Sequence, residues 1–378
     1  MSLHQIFQRL ADDGVPETPW EQALRGVLAP AGFLYGIGAA SARHLYDLGI
    51  RKRTELPVSV LSVGNITLGG TGKTPFVAWL ARWLMETGKS PAVVSRGYGR
   101  EDEAKLVVVH DGRRQRVSAK DGGDEPVLLA RLLRNVPIIS TSNRADGARL
   151  AMRRMNADVI VLDDGFQHHR LARQGDIVLL DATRPLTKLS VFPRGTLREP
   201  LSGLSRAHLI VLTRWNQAGR SGKAIARWLR NNHPELPFVR MTVVPDSFVH
   251  LESGETERLS TRNGQTALLV CGVGNPGSVV RSVREAGLRI VAKKFLPDHA
   301  EITPAMMKKF EAARRSAGAD ILLMTEKDAA RASGRASFPA SALALRIRLA
   351  FAAREDEERA VRTLSARLAV RPVRGLLR

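Results

Sequence analysis

The segment TLGGTGKT at 67–74 carries the residue types of a phosphate-binding loop, in the place such a loop must occupy. A β-branched and apolar run at 58–63 reads as a buried strand, and Phe76, Val77, Leu80, Ala81 and Leu84 recur after the loop at helical spacing. Strand, glycine turn and helix start in that order aim several backbone N–H groups at one point, beside the positive end of the helix dipole. Thr67, Leu68, Gly69, Gly70, Thr71, Gly72, Lys73 and Thr74 are therefore expected to cradle a nucleotide. Lys73 supplies a point charge for the β- and γ-phosphates, and the Thr74 hydroxyl a Mg²⁺ ligand. Thr67 stands where the general pattern G-x-x-x-x-G-K-[ST] has its first glycine, but Gly69, Gly70 and Gly72 can still supply the unusual backbone angles.

Carboxylates follow at matching places. The run VIVLDD at 159–164 ends an apolar strand in Asp163 and Asp164, the pattern of a strand that holds Mg²⁺ opposite the loop; the same pair could cap the next helix. GFQHH at 165–169 sets three polar side chains where they meet a nucleotide or a sugar, or line a loop. GDEP at 123–126 precedes a helix, so Asp124 either serves the helix N-terminus or accepts the proton of an attacking hydroxyl. Two arginines and a tyrosine in SRGYGR at 95–100 suit an anionic substrate or simply a flexible loop. REP at 198–200 and FLPDH at 295–299 are weak signals alone, the latter reading as a solvated turn.

The elements that must position these residues alternate. Apolar runs of strand length at 92–95, 136–141, 158–162, 176–181 and 208–213 are interleaved with helical stretches such as 126–134 and 144–156, which gives an α/β fold with a mostly parallel, P-loop NTPase-like sheet flanked by helices. The motifs fall at the C-terminal strand ends, where ligands bind such sheets. A hairpin is expected at 105–110 and 113–118 around Asp111-Gly112. Two strands at 238–244 and 248–252 around Pro245-Asp246 read as a linker hairpin. A second, smaller α/β unit then follows, with strands at 266–273, 289–295 and 320–325 and a helix at 303–317. The expected division is 1–56 for membrane-proximal helices, 57–236 for the P-loop domain, 237–262 for the linker, 263–350 for the smaller domain and 351–378 for a basic helical tail.

Cys271 is the only cysteine of 378 residues, which excludes a disulfide framework or a cysteine-based zinc site within the chain. The first twenty residues lack a signal-peptide pattern, so a cytoplasmic protein is expected. A net charge of +21 points to an anionic partner, yet 5% aromatic content and the lack of zinc-finger spacing give no support to nucleic acid. The apolar segment 31–42, followed by Arg43, Arg51, Lys52 and Arg53, is too short to span a bilayer; it suits helices on anionic lipid or packed on the core.

Taken in order, VGNITLGGTGKTP at 63–75, the 95–100 and 123–126 segments, LDDGFQH at 162–168, PRGTLREP at 193–200, GVGNP at 272–276, 295–299 and TEKD at 325–328 resemble one family, the tetraacyldisaccharide 4′-kinases of lipid A biosynthesis. Thr67 is in keeping with that family's loop, whereas Thr196 stands where a proline is expected. The resemblance implies transfer of the ATP γ-phosphoryl group to the 4′-hydroxyl of tetraacyldisaccharide 1-phosphate. It also implies a monotopic protein on the cytoplasmic face of the bacterial inner membrane, with no nucleic acid and no obligate protein partner. By the same resemblance, Thr74, Asp164 and Glu199 surround Mg²⁺, and Asp124, tuned by His299 from the second domain, activates the hydroxyl. Lys73 holds the triphosphate, Asp163 supports metal or nucleophile, and Ser95, Arg96, Tyr98, Arg100, Gln167, His168 and Arg198 bind substrate or nucleotide. Placing His299 on the smaller domain makes domain closure part of catalysis. The competing reading is a P-loop ATPase or GTPase switch working with a protein partner: TEKD resembles a guanine-reading motif, but its lysine adjoins the aspartate, whereas that motif separates the two by one residue.

Overall fold

The computed structural model describes residues 18–369 apart from 99, 101, 104, 187–188, 298–299, 301 and 333–336. In chain order the main elements are helix α1 (Pro19–Asp47), strand β1 (Ser59–Asn65), α2 (Lys73–Glu86), β2 (Pro91–Ser95), β3 (Val107–Asp111), α3 (Asp124–Leu132), β4 (Pro137–Ser140), α4 (Arg144–Met155) and β5 (Val159–Asp163). They continue with β6 (Gly175–Asp181), β7 (Leu209–Thr213), α5 (Trp215–Asn232), β8 (Phe238–His250), β9 (Thr256–Arg258), β10 (Thr266–Cys271), α6 (Pro276–Glu285) and β11 (Arg289–Phe295). The last are α7 (Pro304–Ser316), β12 (Ile321–Thr325), α8 (Glu326–Ala332), β13 (Ala342–Phe351) and α9 (Arg354–Ala369).

The described residues fall into two compact units, one drawn from 1–73, 164–242 and 351–378 and the other from 74–163 and 243–350. In the first, β1, β6, β7 and the start of β8 run parallel in that order, with Val63 beside Ile177, Val178 beside Ile210, and Leu212 beside Arg240. Every residue of β1, β6 and β7 is buried, as the continuous apolar runs require of a sheet covered on both faces. One layer of its core joins Val178, Leu180, Ile210 and Leu212 to Ile225 and Leu229 of α5, and to Phe166, Leu197 and Leu204 from the loops beyond the strand ends.

In the second unit, β5, β2 and β4 are parallel and β3 closes the edge antiparallel to β4. Its other strands run β11-β10-β12-β13, all parallel. Alternation sorts their side chains: Ala267, Leu269, Ile321 and Leu323 pack with Val283 of α6, while Leu268, Val270, Leu322 and Met324 pack with Met307 and Phe310 of α7. α6 and α7 each begin with proline after a capping residue, Asn275 or Thr303, whose side chain accepts a backbone N–H.

Three expectations change. The proposed 105–118 hairpin keeps only an isolated bridge between His110 and Gln115, because β3 finds its ladder on β4. The two linker strands are one 13-residue strand, β8, whose Ser247–Val249 end pairs antiparallel with β9. The apolar segment 31–42 lies inside the 29-residue α1, of which Gln22–Asp47 is long and apolar enough to cross a membrane by length and composition. Residues before 18 and after 369, parts of the expected N-terminal helices and basic tail, lie outside the described residues.

Gly64, one residue before the end of β1, sits against Phe166. A Cβ there would stand 2.5 Å from Phe166 Cβ and 2.8 Å from its backbone nitrogen. Gly64→Ala should therefore cost about 1–3 kcal/mol of stability through overpacking, measured by urea denaturation; an unchanged midpoint and slope would contradict this packing.

Candidate active site

The 67–73 loop is shaped by side chains that seize its carbonyls. Asn65 Nδ2, at the end of β1, donates to Gly69 O (3.4 Å) and Thr71 Oγ1 (3.1 Å). Thr213 Oγ1, at the end of β7, donates to Thr71 O (2.8 Å), and Arg214 Nη2 to Gly70 O (2.9 Å). Arg214 is itself fixed by Asp181 at the end of β6, Nη1 to Oδ2 at 2.6 Å. In a trans peptide the next residue's N–H points opposite the carbonyl. Anchoring the carbonyls of 69, 70 and 71 on one side therefore directs the N–H groups of 70, 71 and 72 to the other. Gly69 (φ 95°) and Gly72 (φ 86°) adopt the left-handed conformations this turn needs, which explains why Thr67 can replace the outermost glycine. Thr67 instead forms a bridge to Leu197. Thr196 accepts Leu68 N–H at 2.7 Å and Ile66 accepts Arg198 N–H at 2.7 Å, so backbone bonds fix the 189–200 segment where a proline was expected.

Beside the loop, Lys73 Nζ lies 3.3 Å from Asp164 Oδ1, and Arg198 Nη1 reaches both Asp164 oxygens at 2.8 and 2.9 Å. Burial alone would raise the Asp164 carboxyl, but Lys73 and Arg198 outweigh it and hold the group well below the usual carboxylate range. Asp164 also has a left-handed backbone (φ 52°), which turns the chain sharply after β5. Lys73, Asp164 and Arg198 thus meet beside the loop.

Glu199 departs from its expected role. It is buried, and its oxygens accept from Arg206 (2.8 and 3.1 Å) and from Gln167 Nε2 (2.8 Å), which also donates to Asn65 O. Arg206 in turn lies over the Phe166 ring, 4.1 Å from its centroid. With both oxygens engaged, Glu199 and Gln167 brace the loops instead of presenting an open metal ligand. His168 belongs to a turn, donating its N–H to Gly165 O (2.9 Å) and accepting Arg173 at its carbonyl (2.7 Å). Burial, with Arg206 and Arg173 nearby, pushes neighbouring His169 down to about 4.

In the second unit, Ser95 Oγ donates to Asp163 Oδ2 at 3.0 Å, joining the ends of β2 and β5. Arg100 is the clearest correction among the substrate candidates. It is buried and its guanidinium donates to the carbonyls of Ser140, Glu103 and Lys105, so it holds its own loop together. Tyr98 is exposed, and exposed Arg96 pairs with Glu103 at 3.5 Å. Asp124 is the first residue of α3, and its Oδ2 accepts from Arg331 Nε at 2.9 Å. Gly123 lets this helix start approach the 95–100 loop, since a Cβ there would stand 2.9 Å from Gly97 Cα. Asp298 and His299 lie outside the described residues.

The donor set fits Mg²⁺. Among the described residues no group of three or more His, Cys, Asp or Glu could cage a metal. Mg²⁺ instead takes one or two carboxylates together with phosphate oxygens and water, and the Asp164 carboxylate beside Lys73 offers a ligand of that kind. Asn65 Oδ1, buried at the loop without a hydrogen-bond partner, adds an acceptor nearby. A groove of about 720 Å³, lined by Lys223, Arg227, Arg230, Arg240 and Arg359 among others, includes none of the predicted site residues.

Asn65, Thr213, Arg214, Arg206 and Arg331 went unread in the sequence. Asn65 and Thr213 did carry a signal, each being a polar residue that closes an apolar strand at its C-terminal end. Removing one carbonyl anchor should loosen the amides without unfolding the sheet. Asn65→Ala or Thr213→Val should weaken ATP binding about 3- to 10-fold, the worth of roughly one hydrogen bond. Calorimetric titration reads this, and unaltered affinity in both variants would remove the anchoring role.

Residues 24–369 match the family model of tetraacyldisaccharide-1-P 4′-kinase, LpxK. The tetraacyldisaccharide 4′-kinase of Geobacter metallireducens is 38% identical over 82% of this chain and 89% of its own length. The enzyme of the same name from Syntrophus aciditrophicus is 35% identical over 87% and 89%. The crystal structure of LpxK from Aquifex aeolicus in complex with ATP superposes with a TM-score of 0.71 at 29% identity, covering 91% of this chain and 99% of that one. With its loop, its paired aspartates and nearly its whole length accounted for, the chain belongs to the tetraacyldisaccharide-1-P 4′-kinase family.

Proposed function

We propose that this chain transfers the γ-phosphoryl group of ATP to the 4′-hydroxyl of tetraacyldisaccharide 1-phosphate, the kinase step of lipid A biosynthesis. The observation that carries the reading is the anchored loop beside Lys73, Asp164 and Arg198, in a chain matching the family over 24–369. The loop amides would take the β- and γ-phosphate oxygens, and Lys73 would exchange its Asp164 partner for phosphate. Thr74 and Asp164 would hold Mg²⁺, which when bound neutralises charge on the phosphates. Arg198 would keep Asp164 ionised and oriented. Asp124 would accept the proton as the 4′-oxygen forms its bond to γ-phosphorus and the bond to the β–γ bridging oxygen breaks, releasing ADP.

The switch reading loses ground on one observation. Asp328, the aspartate a guanine-reading motif would turn to the base, is fully buried and accepts from Gly272 N–H, Thr325 and Arg331. It is an internal pin of its own unit.

Membrane attachment through α1 is part of the proposal. One face of α1 packs by Gly32 and Gly36 on Val191, Arg194 and Pro200, and Tyr35 meets Phe192 edge to face at 5.7 Å. Away from that contact the helix leaves Val27 (76% exposed), Phe33 (70%) and Leu34 (66%) open, with Arg51 and Lys52 exposed beyond it. An apolar face beside cations suits the interface of an anionic bilayer. That would bring a lipid acceptor to the segment carrying Arg198 and Glu199, at the cytoplasmic face of an inner membrane.

Labelled ATP and purified disaccharide 1-phosphate in detergent should give a phosphorylated lipid, and Lys73→Ala should abolish it; a chain that only hydrolyses ATP would overturn the assignment. Asp124→Asn should lower kcat about 10²- to 10⁴-fold while ATP binding persists. Normal turnover in the folded variant would remove Asp124 from the chemistry. Phe33→Asp with Leu34→Asp should reduce sedimentation with anionic vesicles by about tenfold or more while ATP affinity stays unchanged. Equal sedimentation would refute the docking face.

A further inference from the structure

We propose that Arg331 is a positioning residue for phosphoryl transfer: its guanidinium, pinned by Asp328 and the Gly272 carbonyl, holds the Asp124 carboxylate in its reactive orientation. The inference rests on the reading of Asp124 as the base, and it gives the TEKD segment a task that nucleotide binding left unassigned.

The geometry is directional. Asp328 is inaccessible to solvent and accepts from Gly272 N–H with both oxygens at 3.2 Å and from Thr325 Oγ1 at 2.6 Å. Thr325 Oγ1 also accepts Asp328 N–H at 3.1 Å, which locks the start of α8 to the end of β12. One turn on, Arg331 is buried, and its Nη1 donates to Asp328 Oδ1 (3.1 Å) and to Gly272 O (3.0 Å). These partners fix the plane of the guanidinium from behind. Its Nε then meets Asp124 Oδ2 at 2.9 Å, from a group with little freedom to turn. A planar guanidinium held this way imposes direction as well as charge, which a lysine ammonium in the same place would not.

A plain helix tie is the rival explanation, and the structure supplies its control. Lys327, on the same helix α8, meets Glu125 on the same helix α3 at 3.2 Å. That bridge joins the same two helices, one residue along α3 and one turn back along α8, and does not involve Asp124. If Arg331 only fastened the helices, breaking either bridge would have similar consequences. If it orients the base, only its own loss should reach the chemical step.

The test measures kcat and the KM for ATP in the full-length chain, with thermal unfolding followed in parallel. Arg331→Lys, which keeps the charge and loses the fork, should lower kcat about 10-fold. Arg331→Met should lower it about 100-fold, the scale of a small misplacement of a reacting group. The KM for ATP should stay within about threefold in both, and Lys327→Met should keep kcat within about twofold. In an Asp124→Asn background Arg331→Lys should cause no further loss, because the group it acts through is already gone. A folded Arg331→Lys with kcat within twofold of the parent, an equal fall in Lys327→Met, or a full additional loss in the double variant would each overturn the proposal. Should Arg331→Met not fold, the lysine variant decides. Impaired Asp124→Asn beside a normal Arg331→Lys would defeat this inference alone, whereas normal Asp124→Asn would defeat the base assignment and this inference with it.

Discussion

Three consecutive carbonyls, those of Gly69, Gly70 and Thr71, are each held by a side chain rooted at or beside the end of a parallel strand. Peptide planarity converts that outward anchoring into inward-facing amides, so the anion-binding character of the loop is imposed by Asn65, Thr213 and Arg214 as much as by its glycines. The parallel sheet is what makes this possible. Because β1, β6 and β7 run the same way, their polar terminal residues Asn65, Asp181 and Thr213 emerge at one edge. The apolar interiors of these strands supply the burial that keeps those positions fixed.

Charge is arranged on the same plan. Asp164 is held ionised against burial by Lys73 and Arg198, and Glu199 is neutralised by Arg206 with help from Gln167. Carboxylates this enclosed would be costly alone, since burial disfavours the charged form. Pairing each with a cation offsets that cost and also fixes its orientation. A nucleotide arriving at Lys73 would replace one anion by another around the same ammonium, so the exchange changes the partner of the lysine without leaving it bare.

Much of this was legible in the residues, because the decisive patterns are local. Helix α2 buries Phe76, Val77, Leu80, Ala81 and Leu84 as its spacing predicts, and β11 occupies the predicted 289–295. Lys73 and Asp164 stand at the ends of their local motifs, the glycine loop and the paired aspartates, and meet at 3.3 Å. Errors arose where a local pattern competed with a distant partner. The Asp111-Gly112 turn promised a hairpin, yet β3 gains a full ladder on β4 and keeps only one bridge across the turn. Arg100 read as a substrate contact because arginine in a glycine-rich loop suits anions, but three backbone carbonyls there required a donor and took it. Pro245 seemed to divide two strands, and β8 nevertheless runs through it. Arg331 was invisible for a different reason: its partner Asp124 lies 207 positions away, and no spacing rule reaches that far.

On the proposed reading, α1 answers a problem peculiar to a lipid acceptor. A soluble sugar can diffuse to a kinase, whereas an acylated one keeps its chains in the bilayer, so the catalytic loop must come to the interface. The small residues Gly32 and Gly36 allow the helix backbone to approach Val191 and Pro200 closely, while the bulky Phe33 and Leu34 stay exposed. Burying two such side chains in lipid contributes roughly 3–6 kcal/mol, enough for attachment when basic residues add their share and still reversible. The segment bearing Arg198 would then be fixed near the membrane through its own packing on α1, and the 4′-hydroxyl would need to rise only slightly from the headgroup layer. A helix that lay flat without this contact would anchor the protein but leave the loop's distance from the lipid undefined. On that reading the glycine face of α1 would be the part of the anchor that concerns catalysis.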